Sequence, residues 1–215
     1  EPSFPDGTFV ASRKGTGNFA AEFHGRAAHA GRNITGGRNA INAMAEFILA
    51  LNAEVAQEPG IIANVASVRG GGPINVVPDL ARCGFNIRVE SMKDRNRAES
   101  IIAAVTAQIN EHDGLSAQIF GRMMRPPKPL DAQTLHWFET LSQCGKELGI
   151  PIAWKPSGGA SDGNILAAAG LPTIDSLGVK GNNLHSSDEY LIVPSLTERA
   201  KLTALVLMKI ASGAV

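Results

Sequence analysis

Apolar residues recur with two different periods along the first 124 residues, and the two periods separate strands from helices. After a short strand at 8–13, alternation and helical spacing predict further elements in the order β-α-β-β-α-β. They are strand 18–24, helix 38–56, strand 61–69, strand 80–90, helix 94–111 and strand 115–121. This order predicts a ferredoxin-like sandwich, in which a four-stranded antiparallel sheet carries two helices on one face.

Each of the two predicted helices has one apolar face. In helix 38–56 this face is formed by Ile41, Met44, Ala45, Ile48, Leu49 and Val55. In helix 94–111 it is formed by Ala98, Ile101, Ile102, Val105 and Ile109. We expect both faces to pack against the sheet, because a helix of this kind buries its apolar stripe.

The pattern changes after residue 124, where the stretch RPPKP at 125–129 indicates a stiff, extended linker. It is followed by helix 131–148, strand 151–155, a glycine-rich turn at 158–163, helix 163–169, strand 172–176, a loop at 178–190 and helix 195–212. The alternation predicts an α/β domain, but two short strands form an incomplete sheet. We therefore predict an α+β domain at 16–124, inserted into an α/β domain that is formed by 1–15 and 125–215 and is only partly present.

Composition narrows the class of protein. The chain has 215 residues, of which 44% are hydrophobic, and its 20 basic and 20 acidic residues balance to a net charge of zero. This composition excludes wholesale disorder and predicts neither a nucleic-acid nor a membrane partner. The two cysteines, Cys83 and Cys144, form neither a disulfide framework nor a metal-binding spacing.

Three polar residues before the linker are candidates for chemistry. His29, in HGRAAHAG at 24–31, could polarise a carbonyl oxygen, and the alternative is an ordinary surface histidine. Asn75, in the Gly/Pro-rich loop at 70–78, either caps a turn or contacts a substrate carboxylate or amide. Arg88 follows FNI on a strand, and it is either a surface arginine or a bidentate carboxylate anchor.

Two further stretches follow the linker. SGGASDG at 157–163 opens a helix, so its backbone N–H groups could bind an anion or an oxyanion, and the alternative is N-capping by Ser161 or Asp162. His185 is followed by Asp188 and Glu189, a pattern that suits a metal ligand supported by carboxylates.

Taken together, these stretches resemble the acetylornithine deacetylase / succinyl-diaminopimelate desuccinylase / glutamate carboxypeptidase family of di-zinc hydrolases, in particular its carboxypeptidase-G-like branch. The resemblance covers nearly the whole chain. It rests on EPS at 1–3, GRAAHAG at 25–31, NVVP at 75–78, Arg88, GGASDG at 158–163 and LHSSDEY at 184–190.

The resemblance implies a role for each of these stretches. Glu1 and His185 resemble metal ligands, one for each of two zinc ions. His29 resembles the histidine of a lid domain that reaches across a dimer and stabilises the oxyanion. The residues that resemble substrate-binding positions are Asn75, Arg88, Arg125, Gly158, Gly159 and Ser161.

In that family the remaining metal ligands and the glutamate base precede the position of Glu1. We therefore expect this sequence to be the C-terminal part of a longer protein, called the full-length parent below. The resemblance implies that the parent binds two zinc ions per subunit, with cobalt or manganese as substitutes, and hydrolyses an N-acyl or peptide amide next to a free carboxylate.

The same resemblance implies a homodimer formed through the lid domain. We expect the 215-residue chain alone to be inactive, because the water-activating base is missing. The alternative function is a non-catalytic dimerisation and ligand-binding module. A cytoplasmic location is favoured over a periplasmic one.

Overall fold

The computed structural model describes residues 1–214, and these residues form two compact units. Unit 1 comprises Glu1–Lys14 and the chain from Pro127 onwards, and unit 2 comprises Gly15–Pro126. The chain thus leaves unit 1 after Lys14 and returns to it at Pro127. Within the described part of the chain, no helix has the length and apolar character needed to cross a membrane.

Unit 2 is the ferredoxin-like sandwich that the sequence predicts. Its main elements are β2 (Gly15–His24), α1 (Ala40–Val55), β4 (Ile61–Gly70), β6 (Leu80–Val89), α2 (Met92–Asn110) and β7 (Ser116–Arg125). The four strands form one antiparallel sheet in the order β4-β6-β2-β7. A separate short ladder joins β3 (Ala28–His29) to β5 (Val76–Val77).

The helices of unit 2 begin at side-chain caps and bury one face. Asn39 caps α1 by accepting hydrogen bonds from the N–H groups of Ile41 and Asn42, and Ser91 caps α2 by accepting from Asp94. The predicted apolar face of α2 is buried throughout.

The predicted face of α1 is partly wrong. Phe47 and Leu51 are buried instead of Ala45 and Leu49, and Leu49 is 71% exposed. The buried stripe is Ala40, Ala43, Met44, Phe47, Leu51 and Val55. It follows the i, i+3/i+4 spacing of a helix face, and that spacing excludes Leu49.

Unit 1 is built from helices around a short parallel ladder. Its elements are β1 (Phe9–Arg13), α3 (Ala132–Leu148), β8 (Trp154–Ser157), α4 (Gly163–Ala168), β9 (Gly181–Asn182), β10 (Tyr190–Leu191) and α5 (Pro194–Ala211). Strands β1 and β8 pair in parallel, and β9 and β10 pair antiparallel. The apolar core contains Phe9, Phe138, Leu141, Cys144, Leu202 and Val206.

The structure corrects two predictions in unit 1. Residues 172–176 form no strand, because the Val10 N–H donates to the Ser176 hydroxyl (2.7 Å) and not to a main-chain carbonyl. The stretch at 125–129, predicted as a stiff, extended linker, belongs instead to the two units themselves. Its first residue ends β7, and the side chain of Lys128 is fully buried.

Candidate functional site

The loops of unit 2 bring His29 and Asn75 together. His29 lies opposite Val76 in the β3–β5 ladder, and the Ala30 N–H donates to the carbonyl of Asn75 (2.9 Å). Two candidates that are far apart in sequence are therefore neighbours in one pair of loops. We call His29 and Asn75 the histidine pair.

Hydrogen bonding within the loop fixes the chemistry of His29. Its Nδ1 accepts from the Gly31 N–H at 3.1 Å, so in the neutral ring the proton is on Nε2. The side chain is exposed. His29 thus presents an N–H donor outward, as stabilisation of an oxyanion requires.

A second grouping lies on the sheet itself. Thr16 of β2 lies opposite Arg88 of β6 on one side and opposite Arg125 of β7 on the other. Ile87 and Val89 are buried in the core, so Arg88 lies on the opposite face of the sheet, as Asn86 does. We call Arg88 and Arg125 the arginine pair. Two guanidinium groups on strands that flank one residue suit a carboxylate ligand.

The histidine pair and the arginine pair lie at opposite ends of β6. Val76, which follows Asn75, lines the same cavity of about 470 Å³ as Leu80, the first residue of β6. Arg88 lies near the other end of that strand. Since a strand rises about 3.3 Å per residue, about 26 Å separates Leu80 from Arg88. One copy of unit 2 therefore does not place Asn75 and Arg88 on the same small ligand.

In unit 1 the glycine-rich turn has an open side and a buried side. A side chain at Gly158 would meet open space, and one at Gly159 would make only ordinary contacts. Ser161, by contrast, is 4% exposed and its hydroxyl donates to Asp175 Oδ2 at 2.5 Å. The same hydroxyl accepts from the Gly163 N–H (3.1 Å). The O–H donor of Ser161 is therefore committed to Asp175, so the side chain holds the buried side of the turn in place.

The helix after this turn is short, and this bears on the anion site that the sequence suggested at its N-terminus. Helix α4 has only six residues, and Asp162 at its N-cap makes no side-chain cap bond. The capping alternative is met by Ser161, which accepts the Gly163 N–H. We therefore assign no anion site to the helix terminus itself.

Asp175 lies at the centre of a buried charged group. Its Oδ2 also accepts from Arg13 Nε (2.7 Å), and Arg13 Nη1 donates to the carbonyl of Gly159 (3.2 Å). Lys128 Nζ lies 3.9 Å from Asp175 Oδ1. Burial lowers the pKa of Lys128, with the Asp175 carboxylate opposing that shift and Arg13 adding to it.

Sequence analysis missed Arg13, Lys128 and Asp175. The available signal was Asp175, a carboxylate inside the apolar run PTIDSLG at 172–178, since a buried charge requires a partner. Nothing in the sequence pattern identified Arg13 or Lys128 as that partner.

The proposed metal ligands lie on neighbouring backbone segments. The Gly178 N–H donates to the Glu1 carbonyl (3.1 Å), and Ser3 forms a parallel bridge with Lys180. Glu1 and Leu184, the residue before His185, line one cavity of about 100 Å³. His185 has a positive φ of 67°, and its N–H donates to Glu189 Oε2 at 3.3 Å.

These residues do not complete a metal site. In residues 1–214 no group of three or more His, Cys, Asp or Glu side chains could hold a metal ion. A closed zinc site needs about four ligands. Glu1 and His185 could supply at most two of them, so the chain by itself does not fit a bound metal, and we derive no catalytic step through one.

Comparison with known proteins shows what unit 2 is similar to. Residues 11–114 match the family model described as the peptidase dimerisation domain of M20 type. The match includes the histidine pair, Arg88 and both helices of unit 2.

Two curated relatives extend the likeness beyond this domain. Peptidase T of Geobacillus thermodenitrificans is 29% identical over 130 residues, which are 59% of this chain and 29% of that protein. The uncharacterized protein YqjE of Bacillus subtilis is 23% identical over 202 residues, which are 94% of this chain and 53% of that protein. The chain thus spans about half of the length of YqjE and less of Peptidase T.

Solved structures show the same fold over nearly the whole chain. Aminopeptidase PepT from Bacillus cereus has a TM-score of 0.80 at 23% identity, covering 95% of this chain and 54% of that one. A tripeptidase from Staphylococcus aureus has a TM-score of 0.81 at 22% identity, with 96% and 54% covered. Bacillus subtilis YxeP, a dinuclear metal binding peptidase of the M20 family, has a TM-score of 0.69 at 18% identity, with 96% and 54% covered.

Proposed function

We propose that this chain is the C-terminal part of a metal-dependent amidohydrolase or peptidase, which cleaves an N-acyl or peptide amide next to a free carboxylate. The observation that supports the proposal is that unit 2 has two separate polar groups, for which we propose the roles of oxyanion donor and carboxylate anchor. His29 presents its Nε2–H outward beside Asn75, and the arginine pair flanks Thr16. The likeness to M20-type peptidases supports the same reaction class.

Each group would act on a different part of the substrate. Arg88 and Arg125 bind the terminal carboxylate and so fix the scissile amide in position. The His29 Nε2–H stabilises the negative charge that develops on the carbonyl oxygen, while Gly158 and Gly159 contact the acyl part through their backbone. We propose acyl amino acids and C-terminal glutamyl amides as the first substrates to test.

The separation of the two pairs supports an active site shared between protomers. About 26 Å of strand β6 separates Leu80 from Arg88. The histidine pair and the arginine pair of one protomer therefore cannot both contact one ligand of amino-acid size. We therefore propose that the histidine pair of one protomer and the arginine pair of its partner serve the same site. The dimerisation domain that unit 2 resembles makes such a partner available.

We propose that the lids pair through the α1 and β4 side of unit 2. Strand β4 is an edge of the sheet, and its side chains Ile62 and Val68 are 45% and 58% exposed. Leu49 on α1 is exposed as well. An unpaired strand edge with apolar neighbours is a ready site for pairing with a second copy.

Metal ions belong to the proposal for the full-length parent only. Zinc is the proposed species, with cobalt or manganese as substitutes, and when bound it supplies Lewis-acid activation of water and carbonyl. Glu1 and His185 are proposed to contribute one ligand each, and the others would come from sequence outside this chain.

The test is steady-state kinetics of variants of the full-length parent. His29→Ala should lower kcat by ~10²–10³, the usual effect of losing one oxyanion donor, whereas His136→Ala, a change at another exposed histidine, should not. Arg88→Ala should raise KM for substrates with a free carboxylate. A wild-type rate for His29→Ala would remove His29 from the mechanism, and an unchanged KM would assign Arg88 to the fold.

Mixed dimers test whether the site is shared. Co-assembly of the His29→Ala and Arg88→Ala proteins in equal amounts should restore about a quarter of the wild-type activity, because half of the dimers are mixed and each has one intact site. If both pairs act within one protomer, mixing restores nothing.

The match of residues 11–114 to a peptidase dimerisation domain favours the second candidate function, a non-catalytic dimerisation and ligand-binding module. The 215-residue chain gathers no metal-binding cluster in residues 1–214. This module would bind acyl amino acids without hydrolysing them. Chelator-sensitive hydrolysis by the pure 215-residue chain would refute both that function and our expectation that the chain alone is inactive.

A further inference from the structure

The charged group inside unit 1 connects three segments that are distant in sequence. Arg13 ends β1, Lys128 follows the return of the chain to unit 1, and Asp175 lies in the irregular segment after α4. The side chains of Arg13, Lys128 and Asp175 are 6%, 0% and 8% exposed. We call these three residues the buried triad.

The triad is attached to both ends of the glycine-rich turn. Arg13 holds the carbonyl of Gly159, and Asp175 holds the hydroxyl of Ser161, which in turn receives the Gly163 N–H. A Cβ atom at Gly163 would lie 2.2 Å from Asp175 Oδ2, so the carboxylate packs directly on the backbone there. The residue at 163 must therefore be glycine for Asp175 to keep its place.

The backbone also links the triad to the two points where the chain leaves unit 1 and returns to it. Arg13 and Lys128 exchange both main-chain hydrogen bonds, each at 2.9 Å. Arg13 is the residue before Lys14, where the chain leaves unit 1, and Lys128 is the residue after Pro127, where it returns. One carboxylate thus binds the outgoing segment, the returning segment and the turn.

We propose that Arg13, Lys128 and Asp175 are positioning residues that hold the turn at 158–163 in the conformation that binds substrate. The triad would act on substrate only through the turn, so it would set KM more than kcat. This inference rests on the proposed function in one respect, namely that Gly158 and Gly159 contact the substrate.

Charge balance supports a positioning role over a stabilising one. Two cations share a single carboxylate, and a buried ion pair gains little net stability because desolvation offsets the attraction. In residues 1–214, Lys128 Nζ and Asp175 Oδ1 have no hydrogen-bond partner. What the triad does supply is a fixed position for the turn, through the bonds of Arg13 to Gly159 and of Asp175 to Ser161.

The first test is amide hydrogen exchange of the 215-residue chain, which needs no substrate. Asp175→Asn should speed exchange in peptides covering 158–164 by about tenfold or more, since the hydrogen bonds from Arg13 and Ser161 lose their charged acceptor. Glu147→Gln removes an exposed carboxylate that pairs with Lys209 in the same unit, and it should leave the turn unchanged. Unchanged exchange of the turn in Asp175→Asn would overturn the proposal.

A gentler pair of variants keeps the test valid if Asp175→Asn fails to fold. Ser161→Ala removes the hydroxyl, whereas Ser161→Thr keeps it, so only the first should speed exchange of the turn. Equal exchange in the two variants would show that the bond to Asp175 does not hold the turn.

The second test is kinetics of the full-length parent with the same variants. Asp175→Asn and Ser161→Ala should raise KM by about tenfold with a smaller change in kcat, and Ser161→Thr should restore KM. A loosened turn with unchanged KM would overturn the link to substrate. If the wild-type parent hydrolyses none of the substrates, the proposed function fails, while the exchange experiment still decides whether the triad holds the turn.

Discussion

The two units of this chain keep their charged groups in opposite places. In unit 2 the interior is apolar, with Phe23, Phe47 and Phe85 in ring contact, and ion pairs such as Glu22–Arg82 lie at the surface. In unit 1 the apolar core is smaller, and charged side chains are inside it. Besides the buried triad, Arg199 is 3% exposed and lies 4.4 Å from the ring centroid of Phe9.

The two interiors therefore have different roles. Apolar burial is the main source of folding free energy, so the interior of unit 2 serves stability. Buried ion pairs add little stability but demand a particular geometry. The interior of unit 1 therefore serves position, and the position it fixes is that of the glycine-rich turn.

The largest expected effect on stability comes from a substitution that creates a cavity in unit 2. Phe47→Ala removes a fully buried ring and should lower the free energy of unfolding by about 3–5 kcal/mol. Both tryptophans, Trp137 and Trp154, lie in unit 1, so their fluorescence reports on that unit while far-UV circular dichroism reports on both. In urea, the circular dichroism transition should shift and the fluorescence transition should not.

A matched control exists in the same unit. Phe120 is 51% exposed on β7, and Phe120→Ala should change stability by less than about 1 kcal/mol. If Phe47→Ala shifts both signals together, the two units unfold as one and the contrast between them no longer describes separate folding units.

A smaller effect, and one of opposite sign, is expected from Lys128→Met. This change keeps the apolar stem, removes one of two buried cations and leaves the Arg13–Asp175 pair intact. We expect a gain of about 1 kcal/mol in the stability of unit 1 at pH 7, read by tryptophan fluorescence. Lys155→Met is the control, because Lys155 is an exposed lysine of the same unit, and it should change little. A loss of about 2 kcal/mol or more would show that Lys128 stabilises the triad.

Lys128→Met should also change how the stability of unit 1 depends on pH. Burial lowers the pKa of Lys128 below its usual value of 10.5, so the folded chain releases this proton at a lower pH than the unfolded chain. The unfolded state then binds more protons, and stability rises as pH increases from the lowered pKa towards 10.5. Below that window the full cost of the buried charge is present. Lys128→Met should therefore show a flatter alkaline profile than the wild type.

The fold of unit 2 could be predicted because its signals are local. The stripe of α2, from Ala98 to Ile109, repeats at helical spacing and is buried as predicted. The face of α1 was harder to predict, because Leu49 and Phe47 are both apolar and lie only two residues apart. Phe47 is the one that packs against Phe23 and Phe85.

Unit 1 was less predictable because its interior depends on contacts between distant segments. Residues 172–176 have the composition of a strand, but a serine hydroxyl that bonds to Val10 replaces the expected ladder. Lys128 lies between prolines and was interpreted as part of a linker. Its burial depends on Arg13 and Asp175, which are both distant from it in sequence. The roles of His29, Asn75 and Arg88 stay predictions until kinetics test them.

The last comparison takes one helix cap from each unit, where the expected effect on stability is no larger than that of Lys128→Met. Asp131 caps α3 in unit 1, where its carboxylate accepts from the Thr134 N–H at 2.7 Å. Ser91 caps α2 in unit 2 with a neutral hydroxyl that accepts from Asp94 at 3.1 Å. Asp131→Ala and Ser91→Ala should each cost about 1 kcal/mol at pH 7, because both leave a helix N-terminus without its cap.

The stability costs of removing the two caps should differ at acid pH. The Thr134 N–H holds the pKa of Asp131 below its usual value of 3.8, so the folded chain keeps this carboxylate ionised to lower pH than the unfolded chain does. Its contribution is present above pH 3.8 and is lost as pH falls through the lowered pKa. The cost of Asp131→Ala should therefore shrink on acidification, while that of Ser91→Ala stays the same or changes less. Urea unfolding at a series of acid pH values measures both, and an equal cost for Asp131→Ala above and below this window would show that its carboxylate charge contributes nothing to the cap.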